Sequence, residues 1–120
     1  MVGYRRGVEV DPMEDTDLML PIEVVALNDE VVTVFVRGEV DLSESGELRA
    51  VLGDACAGPH PTVIVDLTEV GFMGSSGMGV LAQQSHDLDA SGRHLQITGC
   101  PARLRRSFEV TGLDQVLDLT

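Results

Sequence analysis

The chain has 120 residues, a formal net charge of −12 and 43% hydrophobic content. That suits one domain with a genuine core, and it leaves no basic footprint for binding nucleic acid. Aromatic residues make up 3% and tryptophan is absent, so the core must be built from Val, Leu, Ile and Met. No apolar run approaches the ~20 residues of a membrane span. No apolar block follows Arg5 and Arg6 as a secretory signal would require. A cytoplasmic protein without a membrane partner is expected.

Residues 1–19 read as an acidic, disordered N-terminal tail carrying Glu9, Asp11, Glu14, Asp15 and Asp17. Leu18, Leu20 and Ile22 alternate, and Pro21 would confine a strand there to a sheet edge. Residues 20–120 form the domain. Ile22 to Leu27 is β-rich, Asn28-Asp29-Glu30 is a polar turn, and Val31 to Arg37 alternates, which predicts an antiparallel hairpin. Gly38-Glu39-Val40-Asp41 ends the second strand. A helix follows, with Ser43 as its N-cap and Leu48, Val51, Leu52 and Ala55 as its buried stripe. Thr62 to Leu67 is nearly continuous in apolar character, as in a strand buried on both faces.

Gly74-Ser75-Ser76-Gly77 then opens a helix with Met78, Leu81, Ala82, Ser85 and Leu88 on one side, stopped at Ser91-Gly92. Arg93 to Thr98 is a short strand, Ala102 to Val110 a third helix, and Leu113 to Leu117 a last extended piece. Strand–helix alternation with short loops predicts an α/β fold with a mostly parallel sheet of four or five strands and an antiparallel N-terminal edge.

Loops leaving the C-terminal ends of parallel strands share one rim, where binding sites collect. Asp41, the Gly74–Gly77 turn and Cys100 fall on that rim. Cys56 falls on the opposite one, too far for a Cys56–Cys100 disulfide. At the turn, Ser75 and Ser76 sit where helix amides are unpaired and the dipole is positive, so a phosphate on either serine would be accommodated. Ser75 serving simply as an N-cap, with Gly77 and Gly79 permitting close packing, fits the same spacing. The nucleophile-elbow pattern Gly-x-Ser-x-Gly fails because Met78 stands at its last glycine. His60 and His94 precede strands and His86 is mid-helix, so none completes a triad at Ser75 or Ser76. Gly77-Met78-Gly79 begins a loose dinucleotide pattern, but inside the helix and without the ribose-binding acid. No metal-ligand spacing appears, and neither a cofactor nor a catalytic residue is expected.

The run from Asp66 to Leu81, Asp-Leu-Thr-Glu-Val-Gly-Phe-Met-Gly-Ser-Ser-Gly-Met-Gly-Val-Leu, together with Gly38-Glu39-Val40-Asp41, resembles the STAS domains of bacterial anti-sigma factor antagonists. The resemblance implies a STAS fold and a non-enzymatic binding protein in a partner-switching circuit. It implies an anti-sigma factor partner that is a serine kinase of the histidine-kinase-like ATPase fold. Phosphorylation of the position matching Ser75 would dissolve the complex, and a PP2C-type phosphatase would reset it. Asp41, Leu42, Ser43, Gly74, Ser76, Gly77 and Met78 would form the partner surface, with Met78 offered as its apolar element. The family usually carries Asp where this chain has Gly74. The alternative is therefore a STAS subunit of another regulatory or transport complex that is not phosphorylated. A serine hydrolase using Ser76 is the competing enzymatic reading.

Overall fold

The computed structural model describes residues 2–5 and 22–120. In chain order the elements are β1 (Val2–Arg5), β2 (Ile22–Ala26), β3 (Val31–Val40), α1 (Leu42–Cys56), β4 (Thr62–Met73), α2 (Ser75–Ala90), β5 (His94–Thr98), α3 (Ala102–Thr111), a 3-10 turn (Leu113–Gln115) and β6 (Asp118–Leu119). The expected α/β class holds. The strands form one six-stranded sheet in the order β1-β2-β3-β4-β5-β6. The β1–β2 and β2–β3 pairings are antiparallel and the other three are parallel.

One added strand takes the sheet to six, and the last strand is shifted along the chain. Val2–Arg5, expected within a disordered tail, pairs with β2 from Val2 opposite Ala26 to Arg5 opposite Glu23. Without that strand β2 would present an unpaired edge. The rest of the acidic segment, and the alternation at Leu18 and Leu20, lie outside the described residues. At the other edge, Leu113–Leu117 is not extended. Gly112, with φ of 80°, ends α3 in the left-handed region. The chain coils at once, with the Leu117 amide donating to the Leu113 carbonyl at 2.9 Å, before two residues of β6.

The β2–β3 turn is closed by Asn28, whose Oδ1 accepts from the Glu30 and Val31 amides at 2.7 and 2.9 Å. On β3, β4 and β5, Val32, Val63 and Leu95 lie side by side, as do Val34, Val65 and Ile97. All six are buried in the core cluster of the described residues, which also takes Leu48, Val51 and Leu52 from α1, Leu81 and Leu88 from α2, and Leu104 and Phe108 from α3.

Neighbouring parallel strands are added in one direction, so right-handed crossovers put all three helices on the same face. This corrects the reading of β4 as covered on both sides. Val63, Val65 and Leu67 are buried, while Ile64 and Asp66 on the helix-free face are half-buried. Arg93 ties down the rim opposite the β-strand C-termini. Its guanidinium donates to the carbonyls of Cys56 at 2.6 Å, Gly58 at 2.8 Å and His60 at 2.9 Å. It thereby caps the C-terminal end of α1 with a positive charge. Cys56 and Cys100 are free thiols, and burial pushes Cys56 up to about 11.

Candidate functional site

The first helix starts one turn corner earlier than Ser43. Asp41 is the N-cap of α1, in a capping box with Glu44. Asp41 Oδ1 accepts from the Leu42 amide at 2.8 Å, and the Asp41 amide donates to Glu44 Oε1 at 2.8 Å. Ser43 instead donates its hydroxyl to Glu44 Oε2 at 2.8 Å. These two hydrogen bonds, the backbone one foremost, hold the Glu44 carboxyl below the usual glutamate range.

The second helix start is joined to the first. The Gly74 amide donates to the Val40 carbonyl at 2.8 Å, which puts Gly74 beside Asp41. A Cβ added to Gly74 would meet Asp41 Oδ1 at 3.3 Å and the Phe72 ring at 3.7 Å. The Gly74 backbone, at φ −80° and ψ 177°, is open to any residue, so space rather than conformation favours glycine here.

Gly74, not Ser75, is the N-cap of α2, and no side chain caps that helix. Ser75 is the first helical residue and is exposed, while Ser76 is half-buried. Neither serine hydroxyl is engaged in a hydrogen bond among the described residues. A free hydroxyl therefore stands at a helix start whose first amides point outward with partial positive charge.

Asp41, Leu42, Ser43, Gly74, Ser75 and Ser76 gather on this rim, and Gly77 and Met78 turn away from it. Met78 is 4% exposed and belongs to the core, so it is not the apolar element of the surface. It falls on the inward face of α2, which packs beside α1. Gly77 is buried, and a Cβ there would lie 2.8 Å from Val40 Cγ1 and 2.9 Å from Met73 Cγ.

The apolar surface comes from Leu42, 74% exposed, and from Phe72, 47% exposed. Phe72 and Glu44 are the residues that sequence reasoning missed. The capping-box spacing from Asp41 to Glu44 was the available signal for the second.

The histidines are elsewhere. His94 bonds Asp118 at 2.7 Å at the start of β5, His60 precedes β4, and His86 is exposed midway along α2. Among the described residues no group of His, Cys, Asp and Glu side chains is arranged to hold a metal. Nor is any helix there long and apolar enough to cross a membrane.

A singly wound sheet with helices on one face and two abutting helix starts at its rim defines an architecture shared with known proteins. Residues 23–119 match the family model described as Mlab, STAS domain. The anti-sigma-B factor antagonist of Staphylococcus epidermidis is 32% identical over 98 residues, spanning 82% of this chain and 90% of that protein. An anti-sigma factor antagonist from Mycobacterium paratuberculosis superposes with a TM-score of 0.76 at 28% identity, covering 87% of each chain. The anti-sigma factor antagonist SpoIIAA in its unphosphorylated form superposes with a TM-score of 0.71 at 23% identity, covering 83% of this chain and 88% of that one. The chain belongs to the STAS domain family, among the bacterial anti-sigma factor antagonists.

Proposed function

We propose that this protein is an anti-sigma factor antagonist. It binds an anti-sigma factor, a serine kinase of the histidine-kinase-like ATPase fold, through the rim formed by Asp41, Leu42, Ser43 and the Gly74–Ser76 turn, and so releases a sigma factor. Phosphorylation of Ser75 ends the binding, and a PP2C-type phosphatase restores it. The observation that carries this reading is the exposed, unengaged Ser75 hydroxyl at an uncapped helix start beside Asp41. The names of the relatives support the antagonist role, and SpoIIAA is also known in a phosphorylated form.

A phosphate on Ser75 would bring about −1.5 to −2 charges into a contact that must shed water. The α2 dipole would favour the phosphoprotein by at most ~2 kcal/mol. The free antagonist gains that stabilisation, whereas the complex must also desolvate the charge next to the Asp41 carboxylate.

The test is intact-mass analysis of the protein from its own cells, together with binding of Ser75→Ala and Ser75→Glu to purified anti-sigma factors of the same genome. A phosphate lost in Ser75→Ala, with Ser75→Glu unable to bind, is the expected result. Gly74, where the family usually has Asp, favours a second reading: a STAS subunit of another complex that is never phosphorylated. A protein always unmodified and bound to no anti-sigma factor would establish that alternative.

A further inference from the structure

We propose that Phe72 and Leu42 are the two apolar anchors of the partner interface, and that the surface they fit is a protein patch apolar at its centre and basic around it. This rests on the antagonist reading and adds to it which side chains hold the partner.

The chain has three phenylalanines. Phe108 is fully buried and Phe35 half-buried, whereas Phe72 keeps 47% of its surface open. Single exposed apolar residues are ordinary, so the grouping decides. Phe72 and Asp41 are both in contact range of a Cβ at Gly74, and Asp41 bonds the Leu42 amide. The ring and the carboxylate thus both border the Gly74 turn next to Ser75, and Leu42, the most exposed leucine among the described residues, directly follows Asp41. The other exposed large apolar residues among those described are placed apart from this turn. Leu27 is in the β2–β3 turn, and Val110 and Val116 flank the end of α3.

Charge selects the occupant. Glu39 is the register neighbour of Phe72, is exposed, and has no ion-pair partner among the described residues. Asp41 borders the Gly74 turn, with Glu44 joined to it in the capping box. The described cation on adjoining β3, Arg37, is already shared between Glu23 at 3.8 Å and Glu69 at 3.4 Å. A second copy of this chain would set these acids against one another, and an anionic membrane would be repelled by them. A basic-rimmed protein surface complements it and would be drawn in faster at low salt.

The experiment titrates the anti-sigma factor that wild type binds with Phe72→Ala, Leu42→Ala and, as an exposed control, Val110→Ala. Urea midpoints are recorded for each variant to show intact folding. Hot-spot behaviour predicts a loss of about tenfold or more for Phe72→Ala and about threefold or more for Leu42→Ala, with Val110→Ala within about twofold. Association should slow as salt rises. Wild-type affinity in folded Phe72→Ala and Leu42→Ala overturns the proposal and leaves the antagonist reading standing. Failure of wild type to bind any anti-sigma factor of its genome overturns both. Self-association, or binding to phosphatidylglycerol vesicles, that disappears in Phe72→Ala overturns the choice of occupant.

Discussion

Two glycines, Gly77 and Gly79, sit two residues apart in the same helix and should respond to alanine with opposite sign. Glycine costs roughly 1 kcal/mol relative to alanine inside a helix. At Gly79 a Cβ would meet nothing within 4 Å, so Gly79→Ala should gain most of that amount. At Gly77 the same backbone gain is opposed by Val40 Cγ1 at 2.8 Å and Met73 Cγ at 2.9 Å. Met73 is flexible and can give way. Val40 is β-branched, fully buried and stiff at χ1. Overpacking a tight core typically costs about 1–3 kcal/mol, which leaves Gly77→Ala destabilised by up to about 2 kcal/mol. The two variants should therefore differ by about 1–3 kcal/mol. Urea unfolding followed by far-UV circular dichroism suits a chain without tryptophan. Equal gains for both variants would refute the close approach of α2 to the ends of β3 and β4. That approach fixes where Ser75 is held.

Gly99 has φ of +68°, and a Cβ there would overlap Thr68 Oγ1. Gly99→Ala should lose more stability in urea than Gly112→Ala, which has φ of +80° but open space around it. Arg93→Met leaves the Cys56 carbonyl at the α1 end, and those of Gly58 and His60 in the connection after it, without their charged donor. Given charge-assisted bonds of about 1.5–3 kcal/mol each and a half-exposed site, an overall loss of about 2–4 kcal/mol is expected in the same assay. Glu44 has a folded pKa below its unfolded one. Its contribution is thus full above the unfolded value and fades as pH falls through the folded value, below the normal glutamate range. Stability measured from pH 6 to pH 3 should fall less steeply in Glu44→Gln, which keeps an acceptor for the Asp41 amide.

The class of fold was legible because each signal was local and repeated. Alternation in Val31–Arg37, the helical stripe at Leu48, Val51 and Leu52, and Gly92 after α2 all appear where the residues predicted. What escaped depended on contacts across the sheet. Continuous apolar character in Thr62–Leu67 cannot reveal that the helices take one face only, leaving Ile64 half-buried. Val70 was hidden because the β3–β4 register slips between Phe35 and Arg37 and again after Gly38. Counting by twos from Leu67 turns the buried Val70 outward, whereas the two slips together restore the phase at Met73 and leave Phe72 outward. At the site, the rim and its serine were readable, but Met78 and Phe72 exchanged roles. A helical residue next to a turn can point inward or outward, and only the packing of α2 on Val40 and Met73 decides it.

The contact between Asp41 and Gly74 also bears on how mutants of this protein would behave in a genetic screen. One carboxylate both starts α1 and borders the serine turn, so Asp41 is pleiotropic. Replacing it with alanine would lower abundance and alter partner recognition together, and a reporter of transcription would score the sum. Asparagine caps a helix about as well as aspartate. Asp41→Asn is thus the allele that separates charge from folding, and the pair of alleles distinguishes a regulatory phenotype from a simple shortage of protein.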